Sequence, residues 1–288
     1  MPFEFRKVYL DLITDQGQVC VLYLSWVRFF QRWHAQASVE IYEPGGKRTI
    51  VHALSAPQPV DPERGLDQLP VALTIPGGTL ELEVKPVHEA WTPAVASPVP
   101  ELNWSVGALR TSTCITLTTD QGVRKFRGEG YIDFVTLTRP TRKLGLRSLR
   151  WGRAHMFERS LCFTALELQD GRHWFVGVTQ MHGRPARSYG NLSVKLEDGC
   201  GQVRFGTGGQ VLRFDKPTVL HAGSAFDAER IPSPLHRQVC LLVGGPHEER
   251  RWLCQARVDG SHGTGHALHE VVWFGKHARL AVKGKLKG

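Results

Sequence analysis

The sequence predicts an all-β protein made of two similar units in tandem. The first observation is a motif that occurs twice in the chain, with a glycine followed five residues later by an acid and then by apolar residues. Residues 128–135 read Gly-Glu-Gly-Tyr-Ile-Asp-Phe-Val, and residues 265–272 read Gly-His-Ala-Leu-His-Glu-Val-Val. The second observation is that short runs of Val, Leu, Thr and aromatic residues recur between Gly, Pro and Asp turn signals, with little helical periodicity. Two barrels in tandem offer two interiors and a seam, which are natural places for a ligand.

A predicted hairpin lies upstream of each copy of this repeated motif. The first pairs residues 8–13 with 19–23 around a turn at 14–17, and the second pairs 161–168 with 174–178 around a turn at 169–171. Further strands are predicted at 38–42, 71–75 and 80–84. The last of these alternates strictly as Leu-Glu-Leu-Glu-Val, which is typical of an outer barrel strand with one wet face. Residues 53–70, with Pro, Asp and Gly, and residues 87–102, with prolines at 93, 98 and 100, are predicted to be loops or lids.

The predicted domains are residues 1–138 and 139–288, with a crossover at 138–145. A short helix after Pro140 is only weakly indicated, because the spacing of the leucines that follow fits neither the helical nor the strand period. Residues 23–33, which include Trp26, are apolar on both faces. This run is expected either to line a ligand cavity or to be a plain core strand.

Composition describes a soluble globular protein. The chain has 288 residues, of which 41% are hydrophobic and 22% charged. Its net charge of +9 is compatible with nucleic acid, an anionic membrane surface or an acidic ligand. The basic residues are scattered, however, except at 139–153 and in the tail at Lys283, Lys285 and Lys287. We therefore expect no nucleic-acid partner, and at most a peripheral membrane contact through basic surface.

Cysteine spacing and the first residues of the chain predict a cytoplasmic location. The six cysteines show no Cys-x-x-Cys pair and are expected to be reduced core thiols. The N-terminus lacks the basic region and apolar run of a secretory signal. No stretch approaches the ~18 uninterrupted apolar residues of a membrane span.

The block from residue 128 to residue 155 concentrates aromatic, acidic and basic side chains, and part of it matches a known family signature. The matching residues are Gly128, Gly130, Tyr131, Asp133, Trp151, Gly152 and Arg153. This pattern resembles the carotenoid 1,2-hydratase (hydroxyneurosporene synthase) family, whose relatives include lipocalin-like Diels–Alderases and tocopherol-cyclase-like proteins. The resemblance implies two tandem lipocalin-like antiparallel β-barrels and a lyase that hydrates a polyene without metal or organic cofactor. The signature departs from the hydratases after Asp133, so it predicts the fold more strongly than a carotenoid substrate.

Asp133 is the candidate proton donor. Adding water to an alkene or cyclising a polyene needs a carboxylic acid that stays protonated near neutral pH, so burial would have to raise the pKa of Asp133 well above its usual ~3.9. Tyr131 can donate a hydrogen bond to it or to substrate. Trp151, Trp174 and Phe134 are expected to bind the ligand and stabilise a cation through their ring faces.

Arg153 and His155 complete the predicted catalytic set. A guanidinium beside Asp133 would lower the pKa of that carboxyl, and a buried salt bridge fixing the crossover is the favoured alternative to catalysis. His155 is a candidate proton relay, and His182 is noted beside it without an assigned role. For both, a packing role is the more ordinary interpretation.

A metal site is not predicted. His262, His266 and His269 precede Glu270 with His-x3-His-x2-His spacing, but the surrounding glycines indicate a turn entering a strand. In a strand, His269 and Glu270 would point to opposite faces.

Three functions remain open from the sequence. The first is a cofactor-independent hydratase, isomerase or cyclase acting on a lipophilic polyene, terpenoid or polyketide bound in a barrel or at the seam. The second is a non-catalytic lipocalin-like carrier of an apolar small molecule. The third is an inactive descendant kept as a structural or partner-binding protein. A buried ionisable group beside the ligand separates the first from the second, because a carrier gains nothing from one.

Overall fold

The computed structural model describes residues 3–29, 32–55, 59, 66, 69, 72–261 and 263–278. The chain divides into two compact units. The first unit comprises Met1–Thr92 and Glu101–Arg139, and the second comprises Pro93–Pro100 and Pro140–Gly288. Each unit holds one antiparallel sheet that curls into a nearly closed barrel, which confirms the all-β prediction of two tandem barrels. No helix in the described part of the chain is long and apolar enough to cross a membrane.

The sheet of the first unit has eight strands in the order β4-β3-β2-β1-β8-β7-β6-β5. The backbone N–H of Leu54, just after β4, donates to the carbonyl of Thr74 in β5 at 2.8 Å, so the two edges of the sheet approach each other. The strands are β1 (Glu4–Thr14), β2 (Val19–Phe29), β3 (Arg32–Tyr42), β4 (Arg48–His52), β5 (Ala72–Ile75), β6 (Gly78–Pro86), β7 (Leu102–Thr119) and β8 (Gly122–Leu137).

The sheet of the second unit has nine strands in the order β12-β11-β10-β9-β17-β16-β15-β14-β13. The strands are β9 (Leu146–Met156), β10 (Arg159–Leu168), β11 (His173–Met181), β12 (Arg187–Tyr189), β13 (Leu192–Glu197), β14 (Cys200–Phe205), β15 (Val211–Ser224), β16 (His247–Val258) and β17 (Thr264–Phe274). A helix that the sequence pattern did not predict, α1 (Pro234–Gly244), lies between β15 and β16. A single 3₁₀ turn, Thr141–Lys143, follows Pro140 where a short helix was weakly indicated.

The two copies of the repeated motif, at 128–135 and 265–272, occupy equivalent strands of the two units. In each unit the last strand pairs with the first, β8 with β1 and β17 with β9. A Cβ on Gly128 would lie 2.0 Å from the carbonyl oxygen of Ile13, and one on Gly265 would lie 1.8 Å from that of His155. Both glycines are therefore required by close approach of the neighbouring backbone. The repeated motif therefore lies in the last strand of each unit, which pairs with the first strand.

The predicted match between upstream hairpins is wrong by one strand. Because β1 and β9 are the first strands of their units, the counterpart of the β1–β2 hairpin is β9–β10, not the hairpin at 161–178. The β9–β10 loop is the pair Phe157 and Glu158, between the partners Met156 and Arg159. It contains no glycine, so it gave no turn signal, whereas the Asp-Gly of residues 170–171 did.

Alternate residues of each sheet fill the barrel interiors. The alternation predicted for residues 80–84 is confirmed in β6, where Leu80 and Leu82 are buried and the glutamates between and after them are exposed. Aromatic rings inside the barrels lie over glycines of neighbouring strands, as Phe163 does over Gly152. Large side chains in the first core include Leu10, Leu22, Trp26, Phe126, Ile132 and Phe134, and those in the second include Leu161, Phe163, Phe205, Phe214 and Trp252. Most of the predicted loop at 53–70 lies outside the described residues.

The β13–β14 turn packs against the interior of the second barrel. Its glycine, Gly199, has φ +88°, and its carbonyl accepts hydrogen bonds from His269 Nε2 at 3.0 Å and Cys254 Sγ at 3.2 Å. A Cβ at this glycine would lie 2.6 Å from both Pro217 Cβ and Trp252 Cδ1. The turn thus requires glycine for its backbone conformation and for the space it leaves.

Gly199→Ala should lower the free energy of unfolding by about 2–4 kcal/mol, since a left-handed conformation and an overpacked contact add their costs. Gly171→Ala is the matched control, because Gly171 has φ +86° in another hairpin turn but no atom within 4 Å of an added Cβ. Urea unfolding followed by tryptophan fluorescence measures both. Equal losses in the two variants would show that the packing of Gly199 contributes nothing.

Candidate functional site

A cluster of two tyrosines and two aspartates lies on the outer face of the first sheet. In the antiparallel register of β1 and β8, Tyr9 stands opposite Asp133, and Asp11 stands opposite Tyr131. All four side chains are at most 5% exposed. Directly opposed residues on one face of a sheet have Cβ atoms about 5 Å apart. The register therefore builds a buried two-by-two arrangement in which acids and phenols alternate; we call these four residues the Tyr–Asp cluster.

The sequence builds this cluster by using the same tripeptide in both strands. Residues 9–11 read Tyr-Leu-Asp and residues 131–133 read Tyr-Ile-Asp. Because side chains alternate along a strand, the middle residues Leu10 and Ile132 turn into the barrel core and the outer pairs share the opposite face. The strands approach closely here, since a Cβ on Gly130 would lie 2.3 Å from the carbonyl oxygen of Asp11.

Two neutral groups donate to one carboxyl oxygen of Asp133. Trp104 Nε1 donates to Asp133 Oδ2 at 3.0 Å, and the Tyr131 hydroxyl donates to the same oxygen at 3.2 Å. The Trp104 ring in turn meets the Trp91 ring edge to face, with centroids 5.6 Å apart. Trp91 is fixed by paired backbone hydrogen bonds to Val106, each 2.8 Å long. These contacts give the carboxyl one orientation and place indole rings beside it.

The phenol rings extend the aromatic surface along the same face. Tyr9 packs edge to face on Tyr131 with centroids 6.3 Å apart, and on Tyr23 with centroids 5.5 Å apart. Lys7 Nζ lies 5.7 Å from the Tyr9 centroid and 5.6 Å from the Tyr23 centroid. This end of the cluster already accommodates a positive charge through the ring faces. The arrangement of rings can serve a cation formed on a substrate in the same way.

Two of the four predicted catalytic residues, Asp133 and Tyr131, are in direct contact. Arg153 and His155 belong to the other unit, where both are buried on the outer face of β9. The His155 Nδ1 atom lies 3.1 Å from the Ser160 hydroxyl across the β9–β10 hairpin. The predicted Asp133–Arg153 salt bridge and the relay role of His155 stay predictions.

The four predicted ligand-binding residues are divided between environments. Phe134 and Trp26 lie in the interior core of the first barrel, on the opposite face of the sheet from Asp133. The Phe134 ring covers Gly107, where a Cβ would come within 2.5 Å of Cε2. Trp151 and Trp174 are buried in the second unit. Their ligand-binding roles stay predictions, and packing explains the placement of Phe134.

Tyr9, Asp11 and Trp104 were not predicted from the sequence as members of the candidate site. Tyr9 and Asp11 stood inside a run interpreted only as a hairpin strand, and Trp104 was one of eight tryptophans. The recurrence of Tyr-x-Asp was the available signal. Recognising it required the pairing of strands about 120 residues apart, which no local pattern supplies.

His269 and Glu270 of β17 point to opposite faces of the sheet, as strand alternation predicted. His269 lies in the interior, stacked on Trp252 with centroids 4.9 Å apart and edge to face with Phe214. Burial lowers the pKa of His269 from 6.5 to about 4. Glu270 faces outward and accepts hydrogen bonds from Arg251 Nε and Nη2 at 3.0 and 2.8 Å. His262 lies outside the described residues.

Glu270 occupies the position in the second unit that Asp133 occupies in the first, and there it belongs to a chain of buried charges. Arg251 also donates from Nη2 to Glu249 Oε1 at 2.7 Å. Glu249 accepts in addition from Arg230 Nη1 and Nη2 at 2.8 and 3.1 Å. Burial alone would raise the pKa of Glu249, but Arg230 and Arg251 outweigh it and hold that pKa well below 4.5. The equivalent acid of the second unit thus has an arginine partner.

Comparison with known proteins supports the fold. No family model matches the sequence, and no curated protein sequence matches it either. Among solved structures, CghA has a TM-score of 0.61 at 12% identity, covering 96% of this chain and 89% of that chain. A protein described as AttH from Nitrosomonas europaea has a TM-score of 0.60 at 10% identity, covering 94% and 92%. Kievitone hydratase from Nectria haematococca has a TM-score of 0.52 at 8% identity, covering 93% and 88%. At these identities the likeness is one of fold, and it agrees with the two-barrel architecture expected from the sequence resemblance.

Proposed function

We propose that this protein is a hydratase, isomerase or cyclase that transfers a proton to a lipophilic polyene, terpenoid or polyketide, with Asp133 as the acid and no cofactor. The observation that supports the proposal is the buried Tyr–Asp cluster, in which Trp104 and Tyr131 orient the Asp133 carboxyl beside aromatic rings. Kievitone hydratase, which has a similar fold, is a hydratase by name.

The hydrogen bonds indicate which oxygen would deliver the proton. An indole N–H can only donate, so Asp133 Oδ2 must accept from Trp104 while it also accepts from Tyr131. Both lone pairs of Oδ2 are then engaged, and a proton on the neutral acid resides on Oδ1. In hydration that proton adds to one alkene carbon, and the cation formed on the neighbouring carbon is captured by water. The water's surplus proton returns to the carboxylate, which restores the acid.

The carrier alternative requires an interior open to a ligand. Among the described residues, large side chains occupy both barrel interiors, for example Trp26 and Phe126 in the first and Phe205 and Trp252 in the second. The Tyr–Asp cluster lies on the outer face of the first sheet. A carrier has no need of two buried carboxyls, whereas a proton-transfer enzyme needs an acid, so this placement favours catalysis over storage.

Asp133→Asn should reduce turnover by about 100-fold or more while the protein stays folded, because an amide oxygen still accepts from Trp104 and Tyr131 but has no acidic proton. Substrates are sought by solvent extraction of the purified protein and of its native cells. The extract is then incubated with the protein in D₂O, and products carrying one carbon-bound deuterium are identified by mass spectrometry. Deuterium enters only if an exchangeable proton is transferred to carbon.

Asp15→Asn is the matched control, because Asp15 is an exposed turn residue of the same unit. It should label product at the wild-type rate. Wild-type labelling by a folded Asp133→Asn variant would remove Asp133 from the role of acid. If Asp133→Asn unfolds, the salt-bridge alternative gains support and the catalytic proposal loses it.

A further inference from the structure

The helix α1 exposes a face that carries two leucines. Leu241 and Leu242 are 43% and 57% exposed, and Gln238, one turn earlier, is also exposed. The three- and four-residue spacings place these side chains on one side of the helix. Adjacent large apolar side chains open to solvent on a helix are typical of a face that meets another surface.

Exposed cations lie at the C-terminal end of this helix. The helix packs against the 3₁₀ turn, whose Arg142 and Lys143 are exposed. A Cβ on Gly245, directly after α1, would lie 3.6 Å from Arg142 Cβ. The backbone N–H of Gly275 donates to the carbonyl of Pro246 at 2.9 Å, which brings the neighbouring exposed Lys276 to the same end. Three separate parts of the second unit thus supply the surface.

We propose that this surface docks the protein on an anionic lipid membrane. Its members, which we call the α1 patch, are Leu241, Leu242, Arg142, Lys143 and Lys276. Leucines of an interfacial helix enter the boundary between headgroups and acyl chains, while lysine and arginine attract anionic headgroups. The net charge of +9 adds long-range attraction of the same sign. A lipid surface fits this combination because it satisfies the apolar and the cationic members together. The docking surface goes beyond the proposed catalysis and does not rest on it.

The test is co-sedimentation of the full chain with vesicles of phosphatidylcholine alone or with about 30% phosphatidylglycerol. The protein should bind the anionic vesicles and be released when salt is raised from about 0.05 M to about 0.5 M. Arg142→Gln/Lys143→Gln should weaken binding about 30-fold, because two cations near the surface are lost. Leu241→Ser/Leu242→Ser should weaken it about tenfold even though all charges remain. Both variants should keep the wild-type circular dichroism, since the changed side chains are exposed.

Phe157→Ser is the matched control. Phe157 is 88% exposed, but it follows β9 at the end opposite to the 3₁₀ turn, about 33 Å along the strand. This variant should bind vesicles as the wild type does. The proposal is overturned if the anionic vesicles are not bound, or if Phe157→Ser loses binding while the leucine variant keeps it. It is also overturned if light scattering shows a dimer that Leu241→Ser/Leu242→Ser converts to a monomer, because a second copy then covers the patch.

Discussion

Replacing Glu249 by glutamine should lower the free energy of unfolding by about 3–5 kcal/mol, because it leaves two buried guanidinium groups without their shared carboxylate. Arg230 and Arg251 both donate to Glu249, and all three side chains are less than 10% exposed. Burying a charge is tolerable only while a partner offsets the lost hydration. Glutamine has nearly the same shape, so the loss reports charge rather than a cavity.

Asp259→Asn provides the comparison for that experiment. Asp259 accepts from Arg213 Nε and Nη2 at 2.7 and 2.8 Å, so the contact is as close as those of Glu249, but both side chains are 40–45% exposed. Solvent screening makes such a pair weak, and the variant should unfold much as the wild type does. Hydrogen exchange of the β15–β17 peptides measures the stability of this region directly. Similar protection in Glu249→Gln and Asp259→Asn would contradict a special role for burial.

Acid should destabilise the second unit as the pH falls from about 6.5 toward 4. Burial lowers the pKa values of His247 and His269 from 6.5 to about 4, even though each ring donates to a backbone carbonyl. Between these values the unfolded chain binds protons that the folded chain does not. Stability is therefore complete above about pH 6.5 and is lost as the pH falls toward 4, by about 2 kcal/mol per histidine at pH 5.

The histidine origin of this effect can be isolated by substitution. His269→Gln keeps a hydrogen-bond donor toward the Gly199 carbonyl but cannot titrate, so its unfolding free energy should fall less steeply between pH 7 and pH 5. His266→Gln, at an exposed position in the same strand, should keep the wild-type slope. Urea unfolding at a series of pH values measures how the free energy of unfolding depends on pH in each variant. Hydrogen exchange of β16–β17 peptides measures the local effect. An unchanged slope in His269→Gln would show that other groups cause the acid sensitivity.

The sequence predicted the parts of this structure that local patterns specify. Strict alternation placed Leu80 and Leu82 inside and their neighbours outside, and the recurring glycine and acid correctly identified two repeats. It failed where a turn has no glycine, as at Phe157 and Glu158. It also missed α1, whose consecutive apolar residues near its end resemble a short strand more than an amphipathic helix.

The candidate site was predictable only in part. Asp133 and Tyr131 were identified because they stand two residues apart in one strand, within reach of a family signature. Tyr9 and Asp11 come from a strand at the other end of the unit, and their role depends on the register between β1 and β8. Register is set by which faces the whole sheet buries and by long-range pairing, neither of which a local window contains.

Because the first strand of the first unit pairs with the last, β1 must remain without this partner during synthesis until β8 has been made. Phe5 in β1 pairs with Leu137 in β8, about 130 residues later in the chain. At typical ribosomal rates β1 therefore spends on the order of 10 s with one edge unpaired. During that time it presents an apolar strand edge to any nascent chain nearby, which is the condition under which β proteins aggregate. The charged residues Arg6, Lys7 and Asp11 interrupt the apolar sequence of β1. Charges at these positions oppose pairing of β1 with a strand of another chain.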